Sequence, residues 1–350
     1  MFKKRAFLFF LLIFGFSQVS FGAEIQKFNL EQAWAMGLQS NYEIKVAELK
    51  LDNARLDYEK NKADNILTAS RYSDLQFELS LTQAESNYDQ TKDQVLLEIA
   101  QKYLEILKVE QERNLKKKQA EFEEKSLKDV EAQVGKGYKT RIDLLQQENK
   151  YHNALLSLKK VEDNYYQLCR DFEAKLGLKP GNPRVELINI AAQAGGWSLS
   201  VEEVVELAIK NSLTLQALNL QIELAKIDLE RAKISHQVEW EQKKLQNNLD
   251  LALLNEEQSR LNLINSVYKQ YTSFCQAEEE LTLNRTHLEM VKKNYQLVQQ
   301  QQAAGLISQL EQLSAEVELL QAEYQAQIAV ASFYLEKWKI QQLLGFELEV

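Results

Sequence analysis

Proline is nearly missing from this 350-residue sequence: Pro180 and Pro183 are its only two, and they share one short segment. No other stretch is therefore barred from continuous helix by a ring-locked φ and a missing N–H. Glycine is almost as scarce. Beyond residue 22 it stands only at 37, 135, 137, 177, 181, 195, 196, 305 and 345. The two cysteines, Cys169 and Cys275, sit in no motif, which excludes a disulfide framework and a cysteine metal site. The three histidines, His152, His236 and His287, are isolated from one another and from any partner at ligand spacing. A glycine-rich phosphate loop, a serine elbow and a distinctive carboxylate pair are all lacking, so no catalytic, cofactor-binding or metal-binding residue is nominated. Positive charge is in deficit too: a formal net charge of −9 disfavours nucleic acid or an anionic membrane surface as a partner.

What is present begins with a leader. Met1-Phe-Lys-Lys-Arg5 precedes an apolar run, Ala6–Phe16, and then the small-residue stretch Ser20-Phe21-Gly22-Ala23. This is the layout of a secretory signal peptide over residues 1–22, and its apolar run is well short of the roughly 20 residues a spanning helix needs. Cleavage after Gly22 would send the chain to the periplasm or cell envelope and, by removing Lys3, Lys4 and Arg5, take the formal charge from −9 to −12. No later stretch approaches spanning length, and the mean hydropathy is −0.41.

The sequence repeats. Asn29–Lys60 aligns on Ser200–Arg231 at an offset of 171, with Glu31/Glu202, Leu49/Leu220, Ala54/Ala225, Asp57/Asp228 and Glu59/Glu230 identical. Further on, Tyr103/Tyr271, Gly137/Gly305, Glu148/Glu316 and Leu176-Gly177/Leu344-Gly345 align at an offset of 168. Three residues are therefore lost somewhere between Lys60 and Tyr103 or their counterparts. Each half reads as one series: a short helix opened by a capping box (Asn29 with Gln32, Ser200 with Glu203), a second helix to about Lys62 or Ser235, a very long helix to Gly137 or Gly305, and a last helix closed by a glycine. Leu96, Ile99, Tyr103 and Ile106 keep coiled-coil spacing, as do Leu310, Leu313, Val317, Leu320 and Tyr324. A helix from about Leu67 to Val134 would be roughly 100 Å long and could not bury its stripe alone. The predicted class is all-α: helical repeats at 23–177 and 199–350 joined by a linker at 178–198.

These elements resemble the outer-membrane efflux (TolC-type) family over essentially the whole mature chain. The residues that carry the likeness are Leu30-Glu31-Gln32-Ala33 with Leu38-Gln39-Ser40-Asn41-Tyr42, and Val201-Glu202-Glu203-Val204 with Ala208-Ile209-Lys210-Asn211-Ser212. To these add Gln101-Lys102-Tyr103-Leu104, the stretch Gly137–Leu145 and the closing Leu-Gly of each half. The order and duplication are more telling than any single motif. The resemblance implies a homotrimer whose antiparallel helices form a periplasmic tube, with hairpin tips that meet the adaptor (membrane fusion) protein of an export pump. Carried over by position, the tip residues are Gly137, Tyr138, Lys139, Thr140, Arg141, Asp143, Gly305, Leu306, Ser308 and Glu311.

Family members also insert two β-strands between the second and long helices of each half, and three chains pool them into a membrane barrel. Here that insert is missing, since a membrane strand needs roughly 9–11 alternating residues and only Leu75–Leu81 alternates. Asp64-Asn65 and Ser235-His236 are read instead as tight turns, the alternative being helix that simply continues. Cys169 and Cys275 fall at similar heights along the rods, which leaves a bridge between the halves open. Trp34, Trp197, Trp240 and Trp338 are read as packing residues. Two functions compete: a conduit or docking element of an export system, and an extracytoplasmic scaffold or tether that transports nothing. Apolar faces wider than one seam, as in Leu213–Leu229, favour lateral assembly.

Overall fold

The structure is a computed structural model that describes residues 26–66, 69–178, 185–188, 199–346 and 348. The leader, most of the linker and Trp197 lie outside the described residues. In chain order the elements are β1 Gln26–Phe28, α1 Leu30–Ser40, α2 Tyr42–Asp64, α3 Arg71–Gly135, α4 Arg141–Lys175, β2 Val185–Leu187, α5 Val201–Asn211, α6 Leu213–Ile234, α7 Glu239–Ala303 and α8 Gln309–Leu343.

Helix starts follow the capping residues. The Asn29 side chain accepts from the Gln32 N–H at 2.8 Å while Gln32 accepts from the Asn29 N–H at 3.1 Å, and Ser200 and Glu203 form the same reciprocal pair at the head of α5. Asn41 and Ser212 cap α2 and α6. Helix lengths then repeat: α1 and α5 have 11 residues each, α3 and α7 65 each, and α4 and α8 35 each. The lost residues are located by this match. One is the difference between α2, with 23 residues, and α6, with 22; the others come from the connections, residues 65–70 in the first half and 235–238 in the second.

Those connections are tight turns, as expected, and each is far too short to hold a pair of membrane strands. Neither uses glycine or proline. In the first, the buried Asn65 side chain accepts from the Ser70 N–H at 2.8 Å and donates to the Ser70 carbonyl at 2.9 Å and to Asp74 Oδ1 at 2.6 Å. In the second, His236 takes a left-handed φ of 50° and the N–H groups of His236 and Gln237 donate back to Lys233 and Ala232, closing α6 with a Schellman motif.

One expectation needs correction. The segment 178–198 is not merely a linker, because β2 lies within it and pairs in parallel with β1, Gln26 opposite Val185 and Phe28 opposite Leu187. The Tyr103 hydroxyl of α3 ties this sheet to the rods, its proton shared between the Phe28 carbonyl at 2.9 Å and the Ile188 carbonyl at 2.5 Å. Burial raises the Tyr103 pKa, which keeps that donor protonated. Strands of three residues leave no readable period, so the pattern gave no sign of them.

A belt of core surrounds this point. Leu30, Ala33 and Trp34 of α1 meet Leu96, Ile99 and Ala100 of α3, and Phe172 of α4 with Phe274 of α7 and Phe333 and Trp338 of α8 complete it. Trp34 donates from Nε1 to the Leu96 carbonyl at 2.9 Å and stands edge-on to Trp338 with centroids 5.4 Å apart, joining the first half to the second. Away from the belt, the halves are linked by Lys118 to Glu316 at 3.0 Å between α3 and α8 and by Arg71 to Glu223 at 3.3 Å between α3 and α6.

Gly177 and Gly345 end the last helix of each half with φ of 70° and 65°. A β-carbon at Gly177 would come within 2.6 Å of the Ser40 β-carbon, whereas one at Gly345 would find its nearest neighbour, on Asn211, at 3.6 Å. Both alanine substitutions carry the left-handed penalty of about 1–2 kcal/mol, and only Gly177→Ala adds overpacking of about 1–3 kcal/mol. Gly177→Ala should therefore lower the urea midpoint clearly more than Gly345→Ala; equal shifts would mean Ser40 yields without cost.

Candidate docking ends and open flanks

Each hairpin tip is built by the same two devices. At the end of α3 the Gly137 and Tyr138 N–H groups donate to the Val134 and Gln133 carbonyls, both at 2.9 Å; at the end of α7 Gly305 and Leu306 donate to Gln302 and Gln301 at the same distance. Gly137 (φ 79°) and Gly305 (φ 74°) supply the left-handed residue that this Schellman geometry requires. A capping box then opens the returning helix. Thr140 N–H and Oγ1 donate to Asp143 Oδ2 at 2.8 and 2.7 Å, while Asp143 N–H donates to Thr140 Oγ1 at 3.2 Å. At the second tip Ser308 N–H donates to Glu311 Oε2 at 2.7 Å, with Glu311 N–H returning to Ser308 Oγ at 3.1 Å.

Gly137, Tyr138, Lys139, Thr140 and Arg141 are exposed, as are Gly305, Leu306, Ser308 and Glu311, while Asp143 is half-buried. The ten residues fall on two equivalent turns, each offering one large apolar side chain, Tyr138 or Leu306. The first tip also carries cations at Lys136, Lys139 and Arg141.

Backbone N–H donation from Thr140 lowers the Asp143 pKa, and donation from Ser308 lowers that of Glu311. A carboxylate depressed in the folded state stabilises above its unfolded pKa and loses that contribution as pH falls through its folded one. Amide protection at Thr140 and Ser308 should thus fall on acidification below the usual carboxylate range. Asp143→Ala and Glu311→Ala should show the low protection at every pH. Protection that ignores both pH and substitution would remove the carboxylates from the tips' architecture.

The flanks differ between the halves. Among the described residues α3 is packed on α4, α2 and α1 of its own half and on α8 and α6 of the other, whereas α7 packs chiefly on α8, α6 and α5 of its own half. The two helices have equal length, yet fourteen residues of α3 are buried and only five of α7. The outer pair shows the same asymmetry, with eleven buried residues in α8 and five in α4. On α7 the residues Leu254, Leu261 and Tyr268, and further along Leu283, Met290 and Leu297, recur every seventh position and stand exposed. α4 exposes Ile142, Leu145 and Leu156, and α2 exposes Tyr42, Val46 and Leu49. An open groove of about 1030 Å³ runs between α2 and α3, lined by Tyr42, Val46, Lys50, Ala84, Asn87 and Thr91 among others.

Other candidates are placed differently. Cys169 and Cys275 are both free thiols, so the bridge between the halves does not form. Burial pushes the Cys169 thiol up to about 11 and raises that of Cys275, which leaves both unreactive near neutrality. Trp34 and Trp338 pack as expected, but Trp240 is exposed at the start of α7 and packs in no core. Among the described residues no group of three or more His, Cys, Asp or Glu side chains could hold a metal ion, and no helix is long and apolar enough to cross a membrane.

The described residues form a two-repeat array of long antiparallel helical hairpins, closed by paired tips and open along its flanks. Solved structures share this architecture. The chain superposes on the outer-membrane channel OprN with a TM-score of 0.67 at 14% identity, covering 91% of this chain and 90% of that one. It superposes on the outer membrane protein VceC of Vibrio cholerae with a TM-score of 0.64 at 12% identity, covering 91% and 97%. With the CmeC outer membrane channel of Campylobacter jejuni the TM-score is 0.61 at 11% identity, covering 92% and 87%. No protein-family model and no curated protein sequence matches the chain. The chain has the fold of the outer-membrane efflux, TolC-type, channels, with tight turns at residues 65–70 and 235–238.

Proposed function

We propose that this protein is an exported component of an efflux or export system, a helical conduit element that works by assembling with copies of itself and carries out no catalysis. The observation that carries the reading is the unequal burial of the equivalent helices α3 and α7. Within one chain α3 receives α6 and α8 of the other half; by the repeat, α7 is prepared to receive α2 and α4 of a neighbouring copy. The exposed seams on α7, α4 and α2 are the surfaces such a neighbour would cover, at roughly 1.5–3 kcal/mol for each large apolar side chain fully buried. Closure of this heterologous contact into a ring gives a tube, and the likeness to outer-membrane channels supports three copies.

Residues 1–22 act as the leader in this reading, and the halves 23–177 and 199–350 are the repeated units. In this reading the location is the periplasm or cell envelope, and the likeness to outer-membrane channels supports association with the outer membrane. The tips, with Tyr138, Lys139 and Arg141 on one turn and Leu306, Ser308 and Glu311 on the other, dock a periplasmic adaptor of the pump. The turns at 65–70 and 235–238 favour a second reading, a scaffold or tether that assembles without conducting, because strands for a membrane crossing have no room there.

Sedimentation equilibrium should give a trimer in the absence of detergent, and the double substitution Leu254→Glu, Leu261→Glu should return it to monomer with helicity unchanged. A monomeric parent would remove the conduit. Charge reversal at Lys139 and Arg141 should weaken adaptor capture severalfold while leaving the trimer intact; unchanged capture would take the tips out of the account.

A further inference from the structure

The two hairpin tips are alike in architecture and unlike in charge. At the offset of 168 that aligns the repeats here, the residues that build the turn keep their chemistry: Gly137 matches Gly305, Thr140 matches Ser308 and Asp143 matches Glu311. The apolar position keeps its character too, with Tyr138 against Leu306. The cations do not. Lys136, Lys139 and Arg141 stand opposite Ala304, Ile307 and Gln309, and residues 294–315 hold a single charged side chain, Glu311. Since the second tip closes by the same Schellman and capping-box bonds without any cation, the three are not needed to make the turn. All three are exposed, and among the described residues none ion-pairs with a carboxylate; pairing resumes up the rod, at Lys128 with Glu124. Asp143, the carboxylate of this turn, is occupied by the Thr140 N–H and hydroxyl, and although Lys139 also favours its ionised form the turn stays net positive.

We infer that the first tip receives an acidic segment of a folded protein partner, its carboxylates set against Lys136, Lys139 and Arg141, while the second tip makes an uncharged contact through Leu306. The inference rests on the reading of the tips as docking ends and specifies what the partner presents to each. A protein, rather than an anionic membrane, is favoured by the inequality itself. Tyr103 and Tyr271 stand the same number of residues before Gly137 and Gly305, and Lys118 pairs with Glu316 on the way to the tips, so both hairpins reach the same end of the array. A membrane meets both tips alike and would draw cations to each, whereas a surface that finds charge at one tip and none at the next is patterned on the scale of a helical hairpin. The formal charge of −9 also repels an extended anionic surface from the chain as a whole. Arg141 suits carboxylates through its paired N–H groups. Exposed charge pairs add little affinity each, but they set approach rate, orientation and salt dependence. In this division the cations decide which tip an acidic segment takes, and the apolar side chains hold it there.

The test grafts one tip onto the other. The variant Lys136→Ala, Lys139→Ile, Arg141→Gln gives the first tip the side chains of the second; the reverse graft, Ala304→Lys, Ile307→Lys, Gln309→Arg, gives the second the cations of the first. The probe is a synthetic helical peptide with glutamate along one face, immobilised beside its glutamine counterpart. The full chain should bind the glutamate surface with an affinity that falls as salt rises, and the first graft should lose about tenfold or more of that binding at unchanged helicity and sedimented mass. The reverse graft, carrying a second site, should bind more tightly than the parent. Equal binding by the parent and the first graft, or equal binding to the glutamine surface, overturns the inference. So does flotation of the parent with phosphatidylglycerol vesicles that the first graft abolishes, which would make a membrane the occupant. The docking reading fails separately. Adaptor capture lost in Tyr138→Ser, Leu306→Ser but kept in the first graft would retain the docking ends and overturn the carboxylate contact, while a first graft that loses the peptide keeps an acidic partner for this tip even if the adaptor is not that partner.

Discussion

A helix of 65 residues cannot hide its own apolar stripe, and the structure is organised by how that stripe is covered. α3 solves the problem within the chain, drawing α4 and α2 from its own half and α8 and α6 from the other. α7 is the same helix by length and tip geometry, but among the described residues far less of it is buried. The described residues thus leave one flank of the array covered and the other open. Burial, not helix propensity, makes the difference: the exposed seam of α7 keeps the heptad spacing of a packed one, as Leu283, Met290 and Leu297 illustrate.

Length has a second consequence. Rods this long hold their register only if something fixes them partway, since a slip of one residue displaces every contact beyond it. The belt around Tyr103 is that fixed point. It gathers the short helices α1 and α5, the two-stranded sheet, and the Trp34–Trp338 contact between the halves at one height. Away from it buried residues such as Leu75, Leu115 and Val130 lie outside the main cluster, and cross-links between the halves include polar ones such as Lys118 to Glu316. Those partly exposed pairs contribute little each. They orient the rods, while the belt supplies most of the apolar burial.

Much of this was legible before any coordinates. The capping pairs Asn29/Gln32 and Ser200/Glu203, the glycines at 137, 177, 305 and 345, and the duplicated register mark every long helix to within a few residues. Capping and left-handed termination are local effects, so they leave local signatures. The rest is non-local. The sheet rests on six residues from segments about 160 apart, and its anchor is a hydroxyl on a third. The turn at Asn65 works through one buried amide and the turn at Ser235-His236 through a strained histidine, neither of which announces a stop in sequence. Trp240 read as a packing residue for a related reason: its helical position is clear, but whether a neighbour covers it depends on the array around it.

The same logic separates the two ends of the rod. At the tips, reciprocal capping and glycine closure consume the backbone donors and acceptors and leave a compact, hydrogen-bonded turn with mixed polar and apolar side chains. The proposed partner there would meet defined positions such as Lys139 and Arg141, which suits recognition of a folded protein. At the opposite end Asn65 bridges to Ser70 and a Schellman motif closes α6 after Ala232, with Ile66, Ile234, Val238 and Trp240 exposed beside these closures. They are side-chain choices made on closed turns. Exposed in this way, they add nothing to the core that the belt builds.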